Sequence, residues 1–110
     1  MMGRMSRNKG KRGENELAHI LKDHGYDARR GQQFSGANGD ADVVGLPGVH
    51  IEVKRTESLH LYPALEQAAA DARENETPVV FHRRNHKSWV VIMELEDFLE
   101  LYKGESNNVH

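Results

Sequence analysis

The segments Gly39-Asp40-Ala41-Asp42-Val43-Val44-Gly45 and Val49-His50-Ile51-Glu52-Val53-Lys54-Arg55 carry the strongest pattern in the chain. Asp42–Leu46 and Val49–Arg55 are rich in β-branched residues and flank Pro47-Gly48, which predicts two strands joined by a tight turn. Successive side chains of a strand point to opposite faces, so Val49, Ile51 and Val53 share one side while His50, Glu52 and Lys54 share the other. Asn38-Gly39 marks a further turn just upstream.

Working outward, Leu17, Ile20, Leu21 and His24 recur at the spacing of an amphipathic helix. Gly25 follows in the position of a left-handed cap, so the helix is predicted over about residues 13–24. Residues 1–12 lack apolar periodicity and read as a flexible basic arm. Residues 26–34 alternate poorly and form a weak candidate for a first strand. Downstream, Pro63 suits the first turn of a helix with Leu65, Ala68, Ala69 and Ala72 as its apolar stripe. Thr77-Pro78 closes that region. Val79–Arg83 and Trp89–Met93 predict a second strand pair around the polar turn Arg84–Ser88, with Trp89 read as core. Leu95, Phe98, Leu99 and Tyr102 give a last helix, and residues 104–110 read as a frayed tail. The predicted order is α-β-β-β-α-β-β-α, a mixed-sheet α/β (α+β) fold with helices on both sides, and 13–103 is expected to be one domain.

The 110 residues leave little room for a second domain. With no cysteine, disulfides, thiolate metal sites and cysteine nucleophiles are excluded. Net charge is −2, but its distribution is uneven. Arg4, Arg7, Lys9, Lys11 and Arg12 precede any acid; Arg29-Arg30, Lys54-Arg55 and Arg83-Arg84 with Lys87 form later clusters; and acids gather between Glu94 and Glu105. Such a chain can present a basic face to phosphate despite its net charge, because screening makes local charge decisive. No apolar run approaches the ~20 residues that cross a bilayer, and the basic N-terminus lacks the apolar stretch of a secretory signal. The expectation is a cytoplasmic protein without a membrane partner.

Strand alternation sets Glu52 beside Lys54, and a short hairpin lets Asp42 reach the same side. Two carboxylates there make a hard oxygen site suited to Mg²⁺, or to Mn²⁺ in its place. The Lys54 ammonium beside it would orient an attacking water and offset charge building on a phosphate. A bare Glu-x-Lys is common on solvated hairpins. An Asp opening an apolar strand shortly before a Glu-x-Lys within another is far more selective. Asp40 competes with Asp42, which is preferred because it directly opens the apolar strand. The turn His82-Arg83-Arg84-Asn85-His86-Lys87 is either a phosphate clamp or ordinary charged surface. Its His and Asn residues are too crowded for an HNH nuclease, and none of the seven histidines has a convincing companion set for zinc.

A second set of residues extends this pattern: Lys9-Gly10-Lys11-Arg12-Gly13-Glu14-Asn15-Glu16-Leu17, continuing to His24-Gly25-Tyr26, then Arg29-Arg30, Ser35-Gly36, Asp42-Val43-Val44 and Glu52-Val53-Lys54. Taken together, residues 9–55 resemble the archaeal-type Holliday-junction resolvases and their phage relatives among the PD-(D/E)XK nucleases. The resemblance implies a restriction-endonuclease-like core and a Mg²⁺-dependent homodimer that cuts branched DNA, inside a bacterial host cell if phage-encoded. It implies Glu14, Asp42, Glu52 and Lys54 as catalytic residues. The metal would be held by Asp42, Glu52 and the Val53 backbone carbonyl, with Glu14 as a further candidate ligand. Gln67 becomes an accessory candidate, and Lys9, Lys11, Arg12, Arg29, Arg30, Ser35, Arg55, Arg83, Arg84 and Lys87 become candidate DNA contacts. Asn15 departs from the usual Arg of the archaeal enzymes, which puts a backbone contact in doubt. A nickase or restriction-like enzyme on duplex DNA, and a catalytically inactive DNA-binding module of the same fold, are the competing readings.

Overall fold

A computed structural model describes residues 2–32 and 41–107, with side chains described for 10–32 and 41–104. The elements run α1 (Met2–Asp23), β1 (Arg29–Arg30), β2 (Val43–Val44), β3 (Val49–Arg55), α2 (Leu61–Asp71), β4 (Thr77–Arg83), β5 (Val90–Ile92) and α3 (Leu95–Asn107), in the predicted order. The Asn38-Gly39 turn, Ser35 and Asp40 lie outside the described residues.

The five strands form one sheet in the order β1-β2-β3-β4-β5. All neighbours are antiparallel except β3 and β4, which run parallel and are joined by the α2 crossover that parallel pairing requires. Alternation along the strands divides the core in two. Val43, Ile51, Val53, Val79 and Phe81 pack with Leu17 and Ala18 of α1 and with Ala28. Val80 points the other way, to Ala64, Leu65 and Ala68 of α2. The sheet is thus a layer between two helices. Ala69, expected in the α2 stripe, is exposed; the buried face is Ala64, Leu65 and Ala68, turned about one residue from the predicted one.

Helix α1 ends as predicted. Gly25 has φ +96°, and the N–H groups of Gly25 and Tyr26 donate to the carbonyls of Lys22 and Leu21, the paired bonds of a Schellman cap. Its start corrects the predicted boundary at about residue 13, because the backbone is helical from Met2. An apolar stripe is needed to dock a helix but not to extend one, and Met, Arg and Lys are good helix formers. At the C-terminus, α3 likewise runs through Asn107, beyond the predicted tail boundary. The strands Arg29–Arg30, Val43–Val44 and Val90–Ile92 are shorter than predicted, whereas β4 begins two residues earlier, at Thr77.

The predicted apolar stripe of α3 is present but uncovered. Leu95 is 67% exposed, Phe98 47%, Leu99 46% and Tyr102 63%, and Val90 and Val91 of the edge strand β5 are exposed as well.

Candidate active site

Asp42 sits at the mouth of β2, fixed by main-chain bonds on both sides. Its N–H donates to the Ile51 carbonyl at 3.1 Å, and its carbonyl accepts from Gly31 N–H at 2.9 Å. The register Val43↔Ile51 would put residue 41 opposite Val53, but β2 has ended there, leaving the Val53 N–H without a strand partner. The Asp42 side chain takes that place, with Oδ2 accepting from Val53 N–H at 2.8 Å. A strand residue turns its N–H and C=O to the same edge, so the Val53 carbonyl faces the Asp42 side too.

Glu52 is 6% exposed and extends on the α2 face of β3. Its Oε2 lies 3.7 Å from Lys54 Nζ and its Oε1 lies 3.7 Å from His50 Nε2. Lys54 Nζ also donates to Gln67 Oε1 on α2 at 3.3 Å, so the accessory candidate that the resemblance implies touches the ammonium directly.

Glu14 comes from α1, which crosses closely over the end of β3 at Gly13. A Cβ on Gly13 would stand 2.7 Å from Arg55 Cβ, so only glycine lets the helix approach this near. The next residue, Glu14, accepts from Arg30 Nε at 3.0 Å.

The electrostatics show that these groups feel one another's charge, although Glu14, Asp42 and Glu52 do not gather as closely as Glu52 does with His50 and Asp71. Burial, then the Glu52 and Glu14 carboxylates, push the Asp42 pKa from 3.8 up to about 7, against the Val53 N–H and the Lys54 ammonium that pull it down. Like charges held together away from water behave this way when no cation neutralises them. The donor set of carboxylates with an adjacent carbonyl is that of a hard divalent ion, so Asp42, Glu52 and the Val53 carbonyl fit a metal of that kind.

The basic residues divide. Lys11 and Arg12 are exposed on α1, and Arg84 and Lys87 on the β4–β5 turn. Arg12 lines a cleft with Glu16, Arg55 and Asn85. Arg55 donates to the Arg83 carbonyl and to Asn85 Oδ1, and Arg83 pairs with Glu16, which also accepts from Trp89 Nε1 at 2.7 Å. Trp89 is half-buried and packs against the α1-side core, in line with the reading of it as core. Arg29 is exposed and donates from Nη1 to the Arg30 carbonyl at 3.1 Å, while Arg30 is held by Glu14. The side chain of Lys9 lies outside those described.

The sequence pattern alone gives His50 no role. This residue is 5% exposed, and its Nδ1 lies 3.8 Å from Glu76 Oε1 while Nε2 faces Glu52. The neighbouring Glu52 carboxylate holds the imidazole pKa above 6.5, against the burial that lowers it. Asp71, at the end of α2, completes a group in which His50, Glu52 and Asp71 each bring a ligand atom within 4.8 Å of the others. The signal available in the sequence was His50 sharing the strand face of Glu52.

A mixed sheet between helices, with an Asp at the mouth of one strand and Glu-x-Lys on the next, defines the PD-(D/E)XK nucleases. Comparison of the sequence with known families agrees: the chain belongs to the family described as "Phage putative PDDEXK endonuclease", which matches residues 5–109. Among solved structures it is similar to Hjc of Archaeoglobus fulgidus, a Holliday junction resolvase from an archaeal hyperthermophile. The likeness has 27% identity and a TM-score of 0.58, covering 77% of this chain and 72% of that one. No curated protein matches the sequence. Among the described residues, no helix is long and apolar enough to cross a membrane.

Proposed function

We propose that this endonuclease resolves Holliday junctions or closely related branched DNA, working as a Mg²⁺-dependent homodimer in the cytoplasm of a bacterial host. What supports the reading is the seating of Asp42 on the Val53 N–H beside the Glu52–Lys54 pair, within the field of Glu14. Asp42, Glu52 and the Val53 carbonyl are assigned to hold the ion, with Glu14 as an additional acid oriented by Arg30. Bound Mg²⁺, or Mn²⁺ in its place, supplies a Lewis acid and makes water a stronger nucleophile at neutral pH.

The chain's own residues do the rest. Lys54, steadied by Gln67, orients the attacking water and offsets charge gathering on the phosphate. Phosphates of the bound strands are assigned to Lys9, Lys11, Arg12, Arg29, Ser35, Arg84 and Lys87. Arg30, Arg55 and Arg83 would contribute the donors left over from their contacts with Glu14, with Asn85, Glu57 and the Arg83 carbonyl, and with Glu16 and the Lys87 carbonyl. The segment 1–12 would act as a DNA-facing extension of the nuclease domain 13–103. Symmetric resolution needs two cuts, and a twofold dimer brings two sites. The uncovered apolar residues of α3 and β5 are the surface assigned to that contact.

The reading is tested by incubating the protein with a four-way junction, a flap, a nicked duplex and a linear duplex of shared sequence, with Mg²⁺ or with chelator. Paired, symmetric cuts in the junction with Mg²⁺, and none in chelator, are expected. Equal cutting of the linear duplex would make the chain a general nuclease, and binding without cutting would make it an inactive module.

A further inference from the structure

The Glu52 carboxylate has two sides, and the proposed reaction uses only the one facing Lys54. On the other side stand His50 and Asp71, with Glu76 behind the imidazole. His50 Nε2 is buried and has no hydrogen-bond partner, since the nearest Glu52 oxygen is 3.7 Å away. A buried ring nitrogen left without a partner costs free energy, so something should repay it.

The surroundings are built for positive charge. Asp71 is the last residue of α2, where the helix presents its unsatisfied carbonyls and the negative end of its dipole. Glu76 is fixed by a reciprocal turn: its Oε1 accepts from Arg73 N–H at 2.9 Å, and its own N–H donates to the Arg73 carbonyl at 2.9 Å. The group opens to solvent through a cleft lined by His50, Asp71, Arg73 and Glu76, which gives an ion a way in.

We propose that His50 Nε2, Glu52 Oε1 and Asp71 form a second cation site, sharing Glu52 with the first and selective for a first-row transition ion such as Zn²⁺ or Mn²⁺. An imidazole with two carboxylates leaves room for water and suits these ions better than Mg²⁺, which prefers oxygen alone. Glu76 stands on the Nδ1 side, where metal-bound histidines commonly find a carboxylate that fixes their tautomer. An ion here holds the far side of Glu52, orienting Oε2 toward Lys54 and the first site. The inference deepens the nuclease reading, because it gives Glu52 two ions to bridge, but the site itself exists whether or not the chain cuts junctions. The competing account balances Glu52 and Glu76 by a protonated His50 with no ion.

Co²⁺ is the probe, since its visible absorption reports nitrogen and oxygen ligands directly. The full chain, titrated with Co²⁺ in excess Mg²⁺, should develop this absorption. Asp71→Asn, exposed and safe for folding, and His50→Gln should each weaken or abolish it. Glu76→Gln should weaken binding about 10–100-fold through the orientation of His50. Asp42→Asn, which damages only the first site, should retain the absorption. The proposal is overturned if the wild type shows no absorption, if Asp71→Asn binds Co²⁺ as the wild type does, or if Asp42→Asn or Mg²⁺ abolishes the signal. Failure of junction cutting with the Co²⁺ signal intact would count against the nuclease reading and leave this site standing.

Discussion

Ile51 and Val53 on one face of β3, and His50 and Glu52 on the other, are about equally shielded from water, with exposures of 0, 8, 5 and 6%. Their neighbours differ completely. The first pair meets Leu17, Ala18, Val79 and Phe81, apolar groups that gain from leaving water. The second meets Asp71, Glu76 and Lys54, among which Glu52 is crowded and His50 Nε2 faces Glu52 without a hydrogen-bond partner. Burial on the α1 face stabilises the fold. Burial of Glu52 gains no such term, and a shielded carboxylate among other acids is the arrangement expected of a group that serves a cation. A single seven-residue strand thus separates folding from chemistry by the two-residue period of its side chains.

That contrast can be broken from either side. The largest effect is expected at Asp42→Ala, which removes the carboxylate on which the site converges. Single-turnover assays should detect no cleavage, while DNA affinity in a filter-binding or gel-shift assay should be unchanged or higher. Next, Ile51→Ala should cost about 2–5 kcal/mol in urea unfolding, from lost burial and the cavity left behind. The molecules that remain folded should still cut normally, so a chemical defect proportionally larger than the unfolded fraction would erase the distinction between the faces.

Lys54→Ala should slow single-turnover cleavage by about 10²–10³, the usual size for one pre-placed electrostatic contact. Lys54→Arg should restore little, because a planar fork does not replace a compact ammonium held against Gln67 and Glu52. Smaller again is a pH effect on the metal-free chain. A carboxyl whose pKa is raised on folding keeps its proton in the native state after the unfolded chain has lost it. Asp42 should therefore make stability fall as pH rises from about 4 to about 7, and flatten above. His50, also raised, contributes stability that is present below about pH 6.5 and lost as pH climbs through its folded value, so it steepens the upper end. Asp42→Asn in chelator should lose the lower part of this slope, as measured by urea midpoints across pH; an unchanged slope would show that Asp42 is not the strained group.

Much of this architecture is legible in local sequence. β3 is found with the predicted ends, because apolar alternation between Pro47-Gly48 and a polar loop admits few other readings. The Gly25 cap and the sharing of a face by Glu52 and Lys54 also follow from nearest-neighbour rules. What is hidden depends on extension or on distant contacts. The early start of α1 needs no apolar stripe and therefore leaves no periodic trace. The α3 stripe is correctly periodic but uncovered, since periodicity reports that a face is apolar and not what covers it. A histidine's companions are not legible from spacing along the chain, since Asp71 reaches His50 only because the α2 crossover returns the chain to the start of β4.

The most direct test is made on Glu52, the buried carboxylate at the centre of the polar face. Glu52→Gln keeps the shape and removes the charge, and one preparation can be assayed twice: for urea unfolding in chelator, and for single-turnover cleavage of a four-way junction in Mg²⁺. Loss of cleavage with stability equal to or above that of the wild type is the predicted result. Wild-type cleavage by Glu52→Gln, whatever its stability, would contradict the assignment of this face to chemistry.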